Sequence, residues 1–246
     1  MRPSVAAGFE EFSADLEGER IPWPYLDSKD DKDPRTPLDG LVTVGTGNLI
    51  DPVSLSMGLP WRLVADRAKR AATEADPMAT RGEIHQWWTA VKVAQHRKQQ
   101  GGGRHYDLSP LRLTKEAVIE LVHRKLHEVD RQLATMFAGW ATWPADAQLS
   151  LISWAWAVGA HAEYPKMVAL LRAGNFAGAA EEIRVTDGHG GEPGTYVLRN
   201  MRNRRLLINA SNVIAAGMDP EPLRWPSPLL APVVVVVDPG NGGEVA

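Results

Sequence analysis

The chain has 246 residues, 44% of them hydrophobic, and a formal net charge of −3. That supports a sizeable core in one or two domains, and no global basic field marks a nucleic-acid partner. Cysteine is absent, which excludes disulfides, thiolate chemistry and cysteine-based zinc sites. The first twenty residues carry Glu10, Glu11, Asp15, Glu17 and Glu19 and lack an apolar stretch, so no signal peptide is read there. No apolar run is long enough for a bilayer, and stable membrane insertion is not expected.

In chain order, Phe9, Phe12 and Leu16 predict an amphipathic helix over 5–20, ended by Ile21-Pro22-Trp23-Pro24. Short strands and turns are expected over 25–50, with Leu41-Val42-Thr43-Val44 a strand and Gly45 and Gly47 bending the backbone after it. A charged, proline-punctuated loop covers 30–37. Helices are expected over 59–75 and 82–99, the second broken by Gly101-Gly102-Gly103. Thr114 is a natural N-cap for a helix to about Phe137, with Val118, Leu121, Val122, Leu126, Val129 and Leu133 on one stripe. A very apolar helix follows at 144–158, then helices at 164–173, 175–184 and 196–216. After Met218 the repeated prolines predict an extended or disordered tail.

Cleaving a glycosidic bond requires a protonated acid beside the leaving oxygen and a second group to stabilise the transition state or activate water. Glu17 closes the first helix, Asp27 follows in Tyr25-Leu26-Asp27, and Thr43 lies in the next strand. A hairpin would fold Asp27 and Thr43 towards Glu17, although acidic residues are plentiful in this segment. Glu17-Gly18, Tyr25-Leu26-Asp27 and Thr43-Val44-Gly45-Thr46-Gly47-Asn48, taken in that order, resemble the active-site lobe of the phage-type (T-even) lysozymes. The likeness continues weakly in Leu113-Thr114-Lys115-Glu116, Trp156-Ala157-Val158-Gly159, Leu170 to Phe176 and Arg202-Asn203-Arg204-Arg205. It covers roughly 8–50 and 110–215.

The resemblance implies an α+β fold, mainly α and lysozyme-like, with a small antiparallel β-lobe and a larger helical lobe flanking a cleft. It implies a catalytic domain over 1–217, with 51–110 enlarged or inserted, and a tail over 218–246. Glu17 would be the general acid, Asp27 would orient the attacking water, and Thr43 would help hold it. Arg204, or Arg202 two residues earlier, would anchor the acid, and Tyr25, Val158 and Gly159 would meet substrate. The implied reaction is hydrolysis of the β-1,4 bond between N-acetylmuramic acid and N-acetylglucosamine in bacterial peptidoglycan. No cofactor or metal is required. Synthesis in a host bacterial cytoplasm and action on the periplasmic wall are expected, in lysis or wall penetration. An injected muramidase toxin with a delivery or immunity partner, and an inactive wall-binding or virion module, are the rival readings.

The sequence departs from the family pattern at four places. Asn48 stands where the family usually has His, and Pro22, Trp23 and Pro24 lie between Glu17 and Asp27. The Asp27-to-Thr43 interval is lengthened, and Ala157 occupies a position often held by an amide. Trp154 and Trp156 read as core residues, and at most one of Trp87 and Trp88 as exposed. His85 and His96 share a helical face without a third ligand, so they read as solvated histidines. Of the arginines at 199, 202, 204 and 205, one is expected to hold the acid and the rest to be solvated.

Overall fold

The computed structural model describes residues 1–18, 20–27, 40–100, 102–186 and 194–226. The chain is mixed α and β, mostly helical, with a small antiparallel sheet. It divides into two compact units, one of residues 1–12 and 129–246, the other of residues 13–128. Helices α1 (Pro3–Glu17) and α4 (Lys115–Met136) each run from one unit into the other.

The unit of residues 13–128 is built on a three-stranded antiparallel sheet in the order β1 (Ile21–Asp27), β2 (Leu41–Gly45), β3 (Asn48–Leu49). Tyr25 pairs with Thr43, Leu26 with Val42 and Asp27 with Leu41, and a register shift falls between Ile21 and Tyr25. That shift accommodates the Pro22-Trp23-Pro24 run, because proline cannot donate to a ladder. Alternation along the strands sends Leu26, Val42 and Val44 into one core, with Trp61, Ile84, Leu111, Leu113 and Val118. Ile21, Trp23 and Tyr25 form a separate cluster with Tyr106.

After β3 come α2 (Val53–Ser56), β4 (Arg62–Leu63) and α3 (Arg81–Val93). Thr80 and Glu83 cap α3 reciprocally in a capping box. The chain then passes through 3-10 turns at Gln95–Gln100 and Gly102–Asp107 to β5 (Leu111–Arg112), which pairs with β4. Thr114 caps α4 as expected, its hydroxyl accepting from the Ala117 N–H at 3.2 Å.

The helix expected over 59–75 does not form. Its carbonyls at Arg67 and Ala68 accept instead from the guanidinium of Arg112. The Val64 N–H donates to Pro110 at 2.9 Å, and the Trp61 indole bonds to Ser56 at 3.0 Å. Asp66 and Arg67 take left-handed backbone angles, with φ of 55° and 50°, which breaks helical continuity outright. The helix expected over 82–99 likewise ends at Val93 and tightens into 3-10 turns.

The other unit contains α5 (Ala145–Val158), α6 (Pro165–Arg172), α7 (Phe176–Glu182) and α8 (Gly194–Ala215). Helix α5 is buried from Ala145 through Trp156, which explains its near-continuous apolar sequence. It packs along α8, whose Leu206, Leu207, Ala210 and Val213 are buried. Trp154 and Trp156 are core residues, as expected. Asp146 is fully buried and accepts from Asn209 and from the Arg224 N–H, both at 3.2 Å; burial raises its pKa.

Residues 218–226 are tied into this unit, more firmly than a proline-rich tail suggests. Pro220 accepts from the Ala145 N–H at 2.9 Å, Glu221 pairs with Arg2 at 2.9 Å, and the Trp225 ring meets Phe12 edge-on at 5.2 Å. The remainder of the tail and the loop at 30–37 lie outside the described residues.

Candidate functional site

Glu17, Tyr25, Asp27 and Thr43 all belong to the unit of residues 13–128. Glu17 is the last residue of α1 and is half-buried. The helix stops there because Gly18 takes φ +66°, a conformation that glycine adopts without steric cost. Asp27 ends β1 and is exposed. Period-two alternation puts it on the same sheet face as Tyr25, and Thr43 stands directly across from Tyr25.

The Tyr25 phenol senses the charge of both carboxyl groups. Its pKa is pushed up to about 12, first by burial, then by the negative charge of Asp27 and, more weakly, that of Glu17. Hydrogen bonds from the Gly47 N–H and with the Thr43 hydroxyl act in the opposite direction. The Gly47 N–H donates to the phenol oxygen at 3.2 Å, and Gly47 holds φ +74° to present it. The Thr43 hydroxyl is buried, with the carbonyls of Leu41 and Tyr25 at 3.3 and 3.4 Å as alternative acceptors for its one proton. Beside this turn, Thr46 Oγ1 and Asn48 Nδ2 are buried with no hydrogen-bond partner among the described residues. Unpartnered buried polar atoms are costly, and others lie in the other unit, among them Trp154 Nε1 and Asn203 Nδ2.

Gly102, read from the sequence only as part of a helix break, and His105, which sequence reasoning missed, support this face. Gly102 lies flat on Tyr25: a Cβ there would sit 2.4 Å and 2.7 Å from ring carbons. Its carbonyl accepts from the Trp23 indole at 2.9 Å. His105 is fully buried; its Nδ1 accepts from the Leu26 N–H at 3.2 Å, and its Nε2 lies 2.8 Å from the Arg97 carbonyl. Both contacts are satisfied by one neutral tautomer, and burial lowers the ring's pKa. The strand residue between Tyr25 and Asp27 is thus held from residue 105. The triple glycine was the visible signal; its packing partner was not.

The other candidates fall in the other unit. Val158 ends α5 and Gly159 caps it with φ +85°. Arg204, expected to anchor Glu17, falls in the unit that does not contain Glu17. Arg204 pairs with Glu181 of α7 at 2.6 Å, and both side chains are 55% exposed. Arg202 is the arginine that reaches α1: it donates to the Phe12 carbonyl at 3.1 Å and lies over the Phe12 and Trp225 rings. Arg199, expected to be solvated, is instead buried and donates to the Ser153 carbonyl at 2.8 Å. Trp87 and Trp88 are both half-buried, Trp88 donating to the Ile50 carbonyl at 2.8 Å and Trp87 lying under Arg67. The comparisons with known proteins find no matching family model, no matching curated protein and no matching solved structure.

Proposed function

We propose that the protein is a lysozyme-like muramidase that hydrolyses the β-1,4 bond between N-acetylmuramic acid and N-acetylglucosamine in peptidoglycan. With no matching relative, the reading rests on the site and on the order of its residues. The observation that carries it is the grouping of a helix-end glutamate, a strand-end aspartate and a buried threonine hydroxyl around one tyrosine.

In this reading Glu17, in its protonated form, gives its proton to the leaving glycosidic oxygen. Asp27 accepts a proton from the attacking water, and Thr43 accepts a hydrogen bond from the same water and fixes its direction. Tyr25 stays a neutral phenol between them, because its burial and the charge of Asp27 both oppose a phenolate there.

The test is release of reducing ends from purified peptidoglycan by wild type and by Glu17→Gln. Glutamine keeps the shape of glutamate and cannot deliver a proton. General acid catalysis contributes about 10²–10⁴-fold, so Glu17→Gln should lose at least that much. Glu10→Gln and Glu11→Gln, on the same helix, should stay active. A wild-type protein that releases no reducing ends, or a folded Glu17→Gln retaining more than about a tenth of the activity, would overturn the reading.

A further inference from the structure

A second concentration of chemistry in the unit of residues 13–128 is basic. Arg20, Lys69, Arg70 and Lys115 rim a cavity of about 350 Å³ whose apolar lining includes Pro22, Trp23, Val118 and Ile119. Behind the Trp23 ring, 5.1 Å from its centroid, lies the guanidinium of Arg112. Arg112 is fully buried and no described carboxylate pairs with it; its hydrogen bonds go to the carbonyls of Arg67, Ala68, Tyr106, Ser109 and Leu111. Burial, then the charges of Arg70 and Arg67, lowers its pKa to about 10, so it is a fixed cation at neutral pH.

The rim cations are not equivalent. Arg70 is engaged by Asp76 at 2.7 and 2.8 Å. Lys69 and Lys115 form no ion pair with a described residue. Lys115 opens the 22-residue helix α4, so the positive end of that helix adds to the field. The segment carrying Lys69 and Arg70 is fixed by the bonds from Arg112 to its carbonyls and by the left-handed backbone at Asp66 and Arg67. Backbone strain of this kind persists only where surrounding contacts impose it. Here those contacts set two cations at the mouth of an apolar-lined cavity.

We propose that this cavity is an anion-binding subsite that holds the carboxylates of the peptidoglycan stem peptide, Lys69 and Lys115 meeting the charge and Ile119 the methyl and methylene groups. The identity of the ligand rests on the muramidase reading. A short peptide with several carboxylates on an aliphatic frame matches a charged rim over an apolar floor; a glycerol phosphate polymer offers the charge without the apolar frame. The position is suitable, because Arg20 follows Glu17 by three residues, a span of at most about 11 Å, and Pro22 and Trp23 belong to the strand that bears Tyr25 and Asp27.

The experiment is calorimetric titration of the full chain with the free stem tetrapeptide, at low and at physiological salt. The tetrapeptide has no glycosidic bond, so its binding is read independently of hydrolysis. Saturable binding that weakens with salt is expected. It should fall by roughly tenfold, about 1.4 kcal/mol, in the Lys69→Ala/Lys115→Ala variant, and should survive in Lys69→Arg/Lys115→Arg. No binding by wild type, or equal binding by the alanine variant, would overturn the proposal. So would saturation by inorganic phosphate under conditions where the peptide does not bind. Peptide binding by a protein that releases no reducing ends would leave the subsite standing and remove the muramidase reading.

Discussion

His105 offers a test of how the strand bearing Tyr25 and Asp27 is held. The ring is fully buried, accepts from the Leu26 N–H at 3.2 Å and lies 2.8 Å from the Arg97 carbonyl. His105→Ala removes both contacts and leaves a buried donor and a buried acceptor unmatched. Each orphaned group costs about 1–3 kcal/mol, so the expected loss is about 3 kcal/mol once some relaxation is allowed. Protonation does related damage, because an imidazolium has no acceptor for the Leu26 N–H. The folded-state pKa lies below the ordinary histidine value, so the unfolded chain binds the proton more readily. Stability from this group is therefore complete above about pH 6.5 and is lost as pH falls from there towards the folded-state pKa. The assay is urea unfolding followed by tryptophan fluorescence, for wild type and His105→Ala, at pH 8 and pH 5. The difference between the two proteins isolates His105 from other titrating groups, including Asp146. Burial raises the Asp146 pKa, so its contribution runs the other way and is lost as pH rises. A gap that narrows from pH 8 to pH 5 is expected. A gap that is constant with pH, or a variant as stable as wild type at pH 8, would refute the reasoning.

Two further substitutions probe the supports of the site. Gly102→Ala places a methyl 2.4 Å from a ring carbon of Tyr25 and 2.9 Å from Ile21 Cδ1, so the phenol or the glycine segment must shift. Overpacking of this kind costs about 1–3 kcal/mol, and glycan cleavage should fall with it; a fully active Gly102→Ala would detach Tyr25 from the mechanism. Arg202→Ala removes a bond to the Phe12 carbonyl and the cation over two rings, five residues before Glu17 on α1. It should reduce stability and activity more than Arg204→Ala, whose exposed pair with Glu181 contributes about 0–1 kcal/mol. The reverse order, measured by thermal melting and reducing-end release, would assign the anchoring role to Arg204.

What the amino-acid sequence determined by itself is what local physics controls. Thr114 opens α4 because a threonine hydroxyl satisfies an orphan N–H of the first turn, whatever packs against the helix. The buried helix α5 follows from an apolar run that only a core accommodates. Gly45 and Gly47 turn β2 into β3 because both hold positive φ, which puts Thr43 opposite Leu49. What only the tertiary structure decided depends on partners far away in the chain. The sequence over 59–75 has ample helical character, yet Arg112, some 44 residues downstream, takes the carbonyls that a helix would use. His105 reaches Leu26 across 79 residues, and Gly102 lies on Tyr25 by a contact that leaves no local pattern. Arg202 and Arg204 show the limit most simply. Two positions on a helix differ by about 200° around its axis, so only packing could decide which of them faces α1.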